Sequence, residues 1–321
     1  MDRRDFLKGS AAATGLLAFE GIRGMGVNAK GTKDMPLATL GRTGVSVSRL
    51  AFGCAPLGWD HLTRDDVDEI IARAVDEGVN YFDTAPNYGS AEQRMGNIVP
   101  SVREKIFLVS KTEAPDYDGT WRLLERSLKR LNTDYIDLIH MHNFGDQGRF
   151  KDLNDVFSEK GTLGALKEAK KQGVIRFIGA SGHVYPSRFH KVMDTGEIDV
   201  VMNAVNYILQ HIYNFEDKVW SRARLNNLGL VAMKVFGGAV GKDHSRISAD
   251  QHEEALRYAF TLPGVATAVI GMKSKKELLQ NVEAVKNVKP LSAMAMNDLS
   301  RKGLTEAQSE KWGPIHGKPV I

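Results

Sequence analysis

Four polar residues, Asp83, Tyr88, Lys111 and His142, lie at or just after the ends of three consecutive apolar runs and together suit carbonyl reduction by hydride transfer. The runs read NYFDTAPNYG, KIFLVSKT and YIDLIHMHN, and each is short and rich in β-branched or aromatic residues. Buried parallel strands of this kind bring the residues at their carboxyl ends to one rim of a barrel. We therefore expect the four side chains to meet.

The chemistry explains why these residue types belong together. A hydride that reaches a carbonyl carbon leaves an alkoxide, so a proton must reach the oxygen in the same step. Tyr88 can donate it, but an unperturbed phenol, with a pKa near ~10, is a weak acid at neutral pH. An ammonium beside the phenol lowers that pKa, which is the role we predict for Lys111. Asp83 would hold the lysine charged and in position, and His142 would orient the carbonyl oxygen and stabilise its developing charge.

The sequence around these residues resembles a known family. GVNYFDTAPNYGSAE, FLVSKT and DYIDLIHMHN occur in this order, with LGRTGVSVSRLAFGCAPLG before them and KKQGVIRFIGAS after them. From about Leu40 to Val288 the chain resembles the aldo/keto reductases. The resemblance implies an α/β fold, a (β/α)8 TIM barrel, that binds NADP(H) or NAD(H) without a metal ion and reduces an aldehyde or ketone to an alcohol. It also supports the four catalytic roles given above.

Length and composition agree with a single barrel domain. The chain has 321 residues, of which 42% are hydrophobic and 26% charged, enough for one large α/β barrel. Alternating strand-like and helix-like segments predict a barrel over residues 30–289, and residues 290–321 form a tail expected to border it. The net charge of +4 is spread along the chain, so we expect no nucleic-acid or membrane patch.

The amino terminus has the features of a twin-arginine export signal. Arg3 and Arg4 precede an uncharged stretch over residues 9–19, which is too short and too rich in Ala and Gly for stable membrane insertion. Small residues ending at Ala29 offer a cleavage site. We therefore predict a signal peptide over residues 1–29, export in the folded state by the twin-arginine machinery, and a periplasmic location. An amphipathic or disordered tail is the alternative.

The family resemblance also implies where the nicotinamide binds, although this chain departs from the family pattern. Ser181 matches a serine that holds the carboxamide, but the asparagine that commonly follows it is absent. Asn203 replaces the usual glutamine, and Met233 stands where a tyrosine often stacks on the nicotinamide. Lys234 and Gly237 are the candidates for contact with the phosphates.

At the adenosine end, GMKSKKELLQN resembles the segment that binds the 2′-phosphate of NADP(H). The candidate residues in this segment are Gly271, Lys273, Ser274, Lys276 and Asn281. Glu277 stands where the family often carries an arginine, and its charge disfavours a 2′-phosphate unless a neighbouring lysine compensates. The resemblance favours NADP(H), with NAD(H) as the alternative.

The sequence predicts an apolar substrate site and leaves two alternative functions. Trp59, Phe144 and Trp312 would form an apolar wall around a small-molecule carbonyl substrate. One alternative function is a regulatory or structural subunit that binds nucleotide with little turnover. The other is a metal-dependent barrel hydrolase that uses His140 and His142, which share one face of a strand, with His183 as a third ligand.

Overall fold

The computed structural model describes residues 34–59, 61–240 and 244–312. The predicted signal peptide over residues 1–29 lies outside the described residues, as does the end of the tail from residue 313 onward. Within the described part of the chain, eight parallel strands close into one barrel surrounded by helices. The predicted (β/α)8 fold is thus confirmed.

Each barrel strand pairs in parallel with the next, and the last strand pairs with the first to close the barrel. In chain order the barrel strands β1 to β8 are Leu50–Gly53, Tyr81–Asp83, Phe107–Thr112, Ile136–Met141, Ile175–Gly182, Val200–Ala204, Gly229–Met233 and Val265–Gly271. The short antiparallel pairs outside the barrel are Leu37–Thr39 with Ser46–Ser48, and Ala239–Val240 with His244–Ser245.

The helices cover the outside of the barrel. The longer helices α1 to α7 are Arg64–Asp76, Tyr117–Leu131, Thr162–Lys171, Pro186–Asp194, His252–Thr261, Lys275–Lys286 and Ala293–Ala307. Shorter helices are Ala91–Met95, Val99–Val102, Leu153–Phe157 and Ser221–Leu225, and Glu216–Trp220 forms a π-helical turn. The 3-10 turns are Gly41–Thr43, Ala55–Gly58, Arg103–Lys105, Leu209–His211, Ala249–Gln251 and Glu310–Trp312.

Local chemistry fixes where α1 begins and ends. The Thr63 hydroxyl accepts from the backbone N–H of Asp66 at 3.1 Å, and the Asp66 carboxylate accepts from the backbone N–H of Thr63 at 2.8 Å. This capping box satisfies backbone donors that the first turn leaves free. The helix ends before Gly78, whose φ of 86° suits glycine. The buried face, against the barrel, consists of Val67, Ile70, Ile71 and Ala74.

The alternation of side chains along the strands separates two layers of core. Tyr81, Val109 and Leu138 belong to a cluster that fills the barrel, whereas neighbouring strand residues pack beneath the helices. Because successive strand residues point to opposite faces, a residue two positions further on points into the barrel again. Asp83 and Lys111 follow Tyr81 and Val109 by two positions. The barrel therefore directs both towards its axis at the carboxyl rim.

A buried carboxyl group in the helical layer is expected to make stability depend on pH. Tyr258 Oη donates to Glu216 Oε1 at 3.1 Å, and Glu216 Oε2 has no partner among the described residues. Burial raises the pKa of Glu216 to about 7. In the unfolded chain this pKa is near ~4.3, so the folded state binds the proton more tightly and loses stability as the pH rises through that interval.

Glu216→Gln keeps an acceptor for Tyr258 and removes the ionisation. Near pH 4 the wild-type group is largely protonated in both the folded and the unfolded state, so the substitution should not gain from the removed ionisation there. Near pH 8 we expect the substitution to raise the free energy of unfolding by about 2–4 kcal/mol more than it does near pH 4. Urea unfolding of both proteins at the two pH values measures this difference. Equal effects at both pH values would mean that Glu216 does not titrate on unfolding.

Candidate active site

The structure brings the four predicted catalytic side chains together at the carboxyl rim of the barrel. Lys111 Nζ lies 2.7 Å from Asp83 Oδ2 and donates to the backbone oxygen of Thr84 at 2.8 Å. The same nitrogen is 4.8 Å from the centre of the Tyr88 ring. The Tyr88 and His142 rings meet edge to face, with their centres 5.9 Å apart. A buried ammonium thus lies between a carboxylate and a phenol that faces an imidazole.

Close backbone packing positions the loop that carries Tyr88. This loop follows β2 and lies against the 3-10 turn Ala55–Gly58. A Cβ atom on Gly58 would clash with the backbone oxygen of Tyr88, so only glycine permits this approach. Gly89, with φ of 57°, lets the chain turn immediately after Tyr88.

The pKa of Tyr88 differs from the sequence-based expectation. Desolvation of the hydroxyl raises its pKa more than the Lys111 charge lowers it. Lys111 itself is desolvated, which lowers its pKa, yet the Asp83 carboxylate beside it is the main influence that raises the pKa overall. Lys111 thus lowers the pKa of the phenol as expected, but the expected net lowering is wrong, because burial outweighs the charge. A phenol that keeps its proton at neutral pH is nevertheless the form that a proton donor requires.

Glu113, which the sequence analysis did not single out, contacts His142. The His142 Nδ1 atom lies 2.8 Å from Glu113 Oε1, although the N–H direction is off the line of a regular hydrogen bond. Asn87 Nδ2 donates to the same oxygen at 2.5 Å, and Arg149 forms an ion pair with it. Burial lowers the pKa of His142 to about 4, despite the opposing effect of Glu113, so the imidazole is neutral at pH 7.

His140 lies one layer below His142, fully buried within the barrel. Its ring packs against Gly179 of β5, where a Cβ atom would clash with it, and neither ring nitrogen has a hydrogen-bond partner among the described residues. Burial lowers the pKa of His140 well below its usual value. Over the described ranges, no group of three His, Cys, Asp or Glu side chains could hold a metal ion.

A cavity of about 820 Å³ opens beside these residues and extends along the rim. Tyr88 and His142 lie at one part of its wall, and the first turn of α6 lies at another. The predicted site residues that line it are Trp59, Asp83, Tyr88, His142, Met233, Lys234, Gly271, Lys273 and Asn281. Lys111 lies behind this wall, where it contacts Asp83.

Comparison with known proteins gives the family. The sequence model of the aldo/keto reductase family matches residues 49–254.

The chain belongs to the aldo/keto reductase family.

Curated relatives agree with this family. The chain is 32% identical to L-galactose dehydrogenase of Arabidopsis thaliana over 187 residues, a match that spans 53% of this chain and 56% of that protein. It is 27% identical to D-arabinose 1-dehydrogenase of Saccharomyces cerevisiae over 293 residues, or 75% of this chain and 85% of that protein. A structure of a Bacillus halodurans aldo-keto reductase in its holo form aligns with a TM-score of 0.70 at 25% identity, covering 87% of this chain and 100% of that one. This aldo/keto reductase is therefore an oxidoreductase.

A second family match concerns the amino terminus. The sequence model of the twin-arginine translocation signal matches residues 1–19. The chain thus carries a twin-arginine signal sequence. In the residues that the structure describes, no helix combines the length and apolar character needed to cross a membrane.

Two predicted contact residues of this aldo/keto reductase lie away from the cavity. Asn203 follows the inward-facing Met202, so its side chain points to the helical layer, where its Oδ1 accepts from Trp220 Nε1 at 2.9 Å. Phe144 is fully buried and packs against Phe150 and other aromatic rings of the core. Asn203 thus belongs to the helical layer and Phe144 to the hydrophobic core. Neither residue lines the cavity.

The loop that follows β7 contacts the tail of the chain at Gly237. A Cβ atom on Gly237 would clash with the ring of Trp312, so the tail packs directly against this loop. The Arg246 guanidinium lies 5.9 Å from the centre of the Trp312 ring. Gly238, rather than Gly237, lines the cavity. Trp312 is buried against this loop and is absent from the cavity wall.

Around the first turn of α6, one predicted residue caps the helix and others line the cavity. Ser274 does not line the cavity, because its hydroxyl accepts from the backbone N–H of Glu277 at 3.2 Å and caps the helix. Lys276 is exposed and also lies off the cavity. Glu277 does line it, and its carboxylate accepts from the backbone N–H of Lys273 at 2.8 Å.

Other polar and aromatic residues of the cavity wall were not predicted from the sequence. Asn87, Asn143 and His183 line it together with Tyr88 and His142. Phe236 and His252 stack with their ring centres 3.7 Å apart, and both also line the wall. Except for His252, which begins α5, these residues come from loops, whose side chains no strand or helix periodicity assigns to one face.

Proposed function

We propose that this oxidoreductase reduces an aldehyde or ketone to an alcohol by hydride transfer from a nicotinamide nucleotide, with Tyr88 as the proton donor. The observation that carries the proposal is the buried contact of Lys111 with Asp83, 2.7 Å apart, beneath the Tyr88 ring. Burying an ammonium with a carboxylate costs desolvation free energy, so such a pair beside a cavity is a candidate for a functional role. Here the charge faces the phenol that must release a proton.

The residues along the cavity fit a nicotinamide nucleotide. Ser181 is not among the residues that line the cavity, but its Oγ is buried without a partner among the described residues, as a hydroxyl that awaits the carboxamide would be. Met233 offers an apolar surface to the ring, and Lys234 offers a cation that burial leaves with a lowered pKa. Lys273 and Asn281 lie in the wall at the adenosine end.

The proposed mechanism assigns one task to each catalytic side chain. The bound reduced nucleotide supplies the hydride. Tyr88 Oη donates its proton to the substrate oxygen as the alkoxide develops, and the Lys111 charge stabilises the phenolate that remains. Asp83 keeps Lys111 protonated and fixed. His142, beside Tyr88 in the cavity wall, orients the substrate so that the carbonyl oxygen meets the phenol.

A screen of aldehydes and ketones with NADPH and with NADH tests this function on the mature protein. Oxidation of either nucleotide that depends on a carbonyl compound supports the proposal. Tight nucleotide binding without turnover of any carbonyl compound would instead indicate a nucleotide-binding subunit.

We propose NADP(H) as the preferred cofactor, with NAD(H) as the alternative. Lys273 and the amino end of α6 favour an anion, whereas the Glu277 carboxylate opposes it. Glu277→Gln keeps an acceptor for the Lys273 N–H and removes the charge. We expect it to tighten NADPH binding about tenfold, which is ~1.4 kcal/mol, and to leave NADH binding nearly unchanged.

Fluorescence titration of both nucleotides measures this effect. Glu69→Gln is the matched control, because Glu69 is exposed and forms an ion pair with Lys275 outside the cavity. An equal change for both nucleotides in Glu277→Gln would show that Glu277 does not sense the 2′-phosphate.

We propose that the mature enzyme begins near Lys30 and works in the periplasm, exported folded with nucleotide already bound. The twin-arginine signal supports this location. Arg3→Lys with Arg4→Lys preserves charge but removes both guanidinium groups, so we expect the precursor to stay in the cytoplasm. Cell fractionation measures where the protein accumulates, and mature Lys-Lys protein in the periplasm would contradict the signal assignment.

A second measurement tests whether the exported enzyme keeps its nucleotide. The exported wild-type enzyme is denatured, and the nucleotide that it releases is assayed.

A further inference from the structure

A buried carboxylate outside the barrel links the two chain segments that carry Tyr88 and Lys111. Glu92 is 2% exposed and lies on the short helix Ala91–Met95, just after the Tyr88 loop. Its Oε1 atom accepts a hydrogen bond from Ser110 Oγ at 2.9 Å. Ser110 directly precedes Lys111 on β3, and because successive strand residues point to opposite faces, its side chain points to the helical layer. Glu92 thus connects the Tyr88 segment to the strand that carries Lys111.

Arg130 connects the same carboxylate to the loop that precedes Tyr88. Its Nη1 atom lies 3.6 Å from Glu92 Oε2, which makes an ion pair that is too long for a hydrogen bond. The same nitrogen donates to the backbone oxygen of Pro86 at 3.3 Å. A Cβ atom on Gly96 would clash with the backbone oxygen of Arg130, so the end of the short helix packs directly against the end of α2. Arg130 therefore fixes the loop on the amino-terminal side of Tyr88.

The short helix fixes the loop on the other side of Tyr88. The backbone N–H of Ala91 donates to the backbone oxygen of Tyr88 at 3.0 Å. Glu92 is the next residue, so with Arg130 it closes a ring of contacts around the loop, and its bond with Ser110 ties this ring to β3. The side chains of Glu92, Ser110 and Arg130 do not line the cavity. Any influence that they have on the reaction must pass through the residues that they hold.

The proposed proton transfer needs a fixed distance between the phenol and the ammonium. Lys111 Nζ lies 4.8 Å from the centre of the Tyr88 ring, but Lys111 is on a strand and Tyr88 is on a loop. Loops position side chains less precisely than strands do, unless other groups hold them in place. A displacement of about 1 Å at a reacting group can lower a rate by about 100-fold. The Tyr88 loop therefore needs an anchor to the strand.

We propose that Glu92 is a positioning residue that holds the Tyr88 phenol against the Lys111 ammonium. It acts through Arg130, which fixes the loop, and through Ser110, which belongs to the strand. This inference rests on the proposed reductase function and concerns only how the proton donor is placed. Because Glu92 touches neither the substrate nor the nucleotide, its loss should affect kcat and not KM.

Glu92→Gln tests this role. The amide oxygen can still accept from Ser110, but the amide NH2 group then faces the Arg130 guanidinium, and two donors cannot pair. Arg130 also loses its counter-charge, so its hold on the loop weakens. We expect kcat for carbonyl reduction to fall roughly 10- to 100-fold. The KM values for nucleotide and for the carbonyl compound should stay within about twofold of the wild type.

Glu77→Gln is the matched control. Glu77 is 5% exposed and forms ion pairs with Arg73 at 2.7 Å and with Lys286 at 3.2 Å. It precedes β2 at the amino end of the strand, whereas Tyr88 follows the carboxyl end. Both substitutions replace a buried, paired carboxylate with an amide, so urea unfolding should show comparable losses of stability. Only Glu92→Gln should lower kcat, and an equal fall of kcat in Glu77→Gln would overturn the positioning role.

A cycle with Tyr88→Phe separates positioning of the phenol from a general weakening of the fold. Because Glu92 acts through the phenol, Glu92→Gln should scarcely lower kcat further in the Tyr88→Phe background. If Glu92→Gln does not fold, Ser110→Ala breaks the link to β3 and is measured in the same cycle, with an expected fall in kcat of about three- to tenfold.

The outcomes distinguish this inference from the reductase function. An unchanged kcat in the folded variant, or the same fold-loss of kcat with and without Tyr88→Phe, would overturn the role of Glu92 and leave the reductase function intact. Wild-type enzyme that reduces no carbonyl compound with either nucleotide would overturn both.

Discussion

Tyr88→Phe is expected to lower kcat for carbonyl reduction by roughly 10²–10⁴-fold, the usual contribution of a positioned general acid. The substitution removes the phenolic proton and keeps the ring that packs edge to face with His142. Nucleotide affinity should change little, because the lost group acts only on the substrate oxygen. Steady-state turnover, with nucleotide binding followed by fluorescence, measures both quantities.

Tyr135→Phe is a matched control for this loss. Tyr135 immediately precedes β4, at the opposite end of the barrel strand from the site, and its ring lies against the Arg103 guanidinium. Removal of its hydroxyl should leave turnover unchanged. Near-normal turnover in Tyr88→Phe would contradict the proposed proton donor.

Lys111→Met is expected to lower kcat to a similar extent. In the proposed mechanism the Lys111 charge stabilises the phenolate that Tyr88 becomes, and methionine keeps much of the side-chain length without a charge. The substitution also leaves the buried Asp83 without its 2.7 Å partner, which can cost about 3–5 kcal/mol of stability. Lys111→Met with Asp83→Asn removes this unpaired charge and separates loss of folding from loss of chemistry.

The effects of the Tyr88 and Lys111 substitutions should not add. Because Lys111 acts through the phenol, the double substitution should be scarcely slower than Tyr88→Phe alone. Turnover of the four proteins in this cycle measures the coupling. Additive losses would mean that the lysine acts on the reaction independently of Tyr88.

The sequence was sufficient to predict the barrel and the convergence of the four proposed catalytic residues. Each apolar run predicts a buried strand, and parallel strands bring their carboxyl ends to one rim, so Asp83, Lys111 and His142 converge. The contact of Glu113 with His142 can be predicted only when the register of the strands is also known. Lys111 pairs with His140 across β3 and β4, and two residues further along each chain this register brings Glu113 beside His142.

Side-chain direction and burial account for the expectations that the structure did not meet. Met202 points into the barrel, so Asn203 must point out of it, but this alternation can be counted only once the start of β6 is known. For Tyr88, the sequence indicates the neighbouring charge of Lys111 and gives no measure of desolvation. Burial outweighs that charge and raises the pKa of the phenol.

Transfer of deuterium from the reduced nucleotide to the substrate tests the central claim most directly. Wild-type enzyme is incubated with NADPH or NADH deuterated at the nicotinamide C4 position and with a carbonyl compound, and the alcohol is analysed by mass spectrometry. We predict that one deuterium appears on the former carbonyl carbon, from one face of the nicotinamide only, and that Tyr88→Phe forms the same labelled alcohol far more slowly. Alcohol without deuterium from either face, or no alcohol with either nucleotide, would contradict hydride transfer at this site.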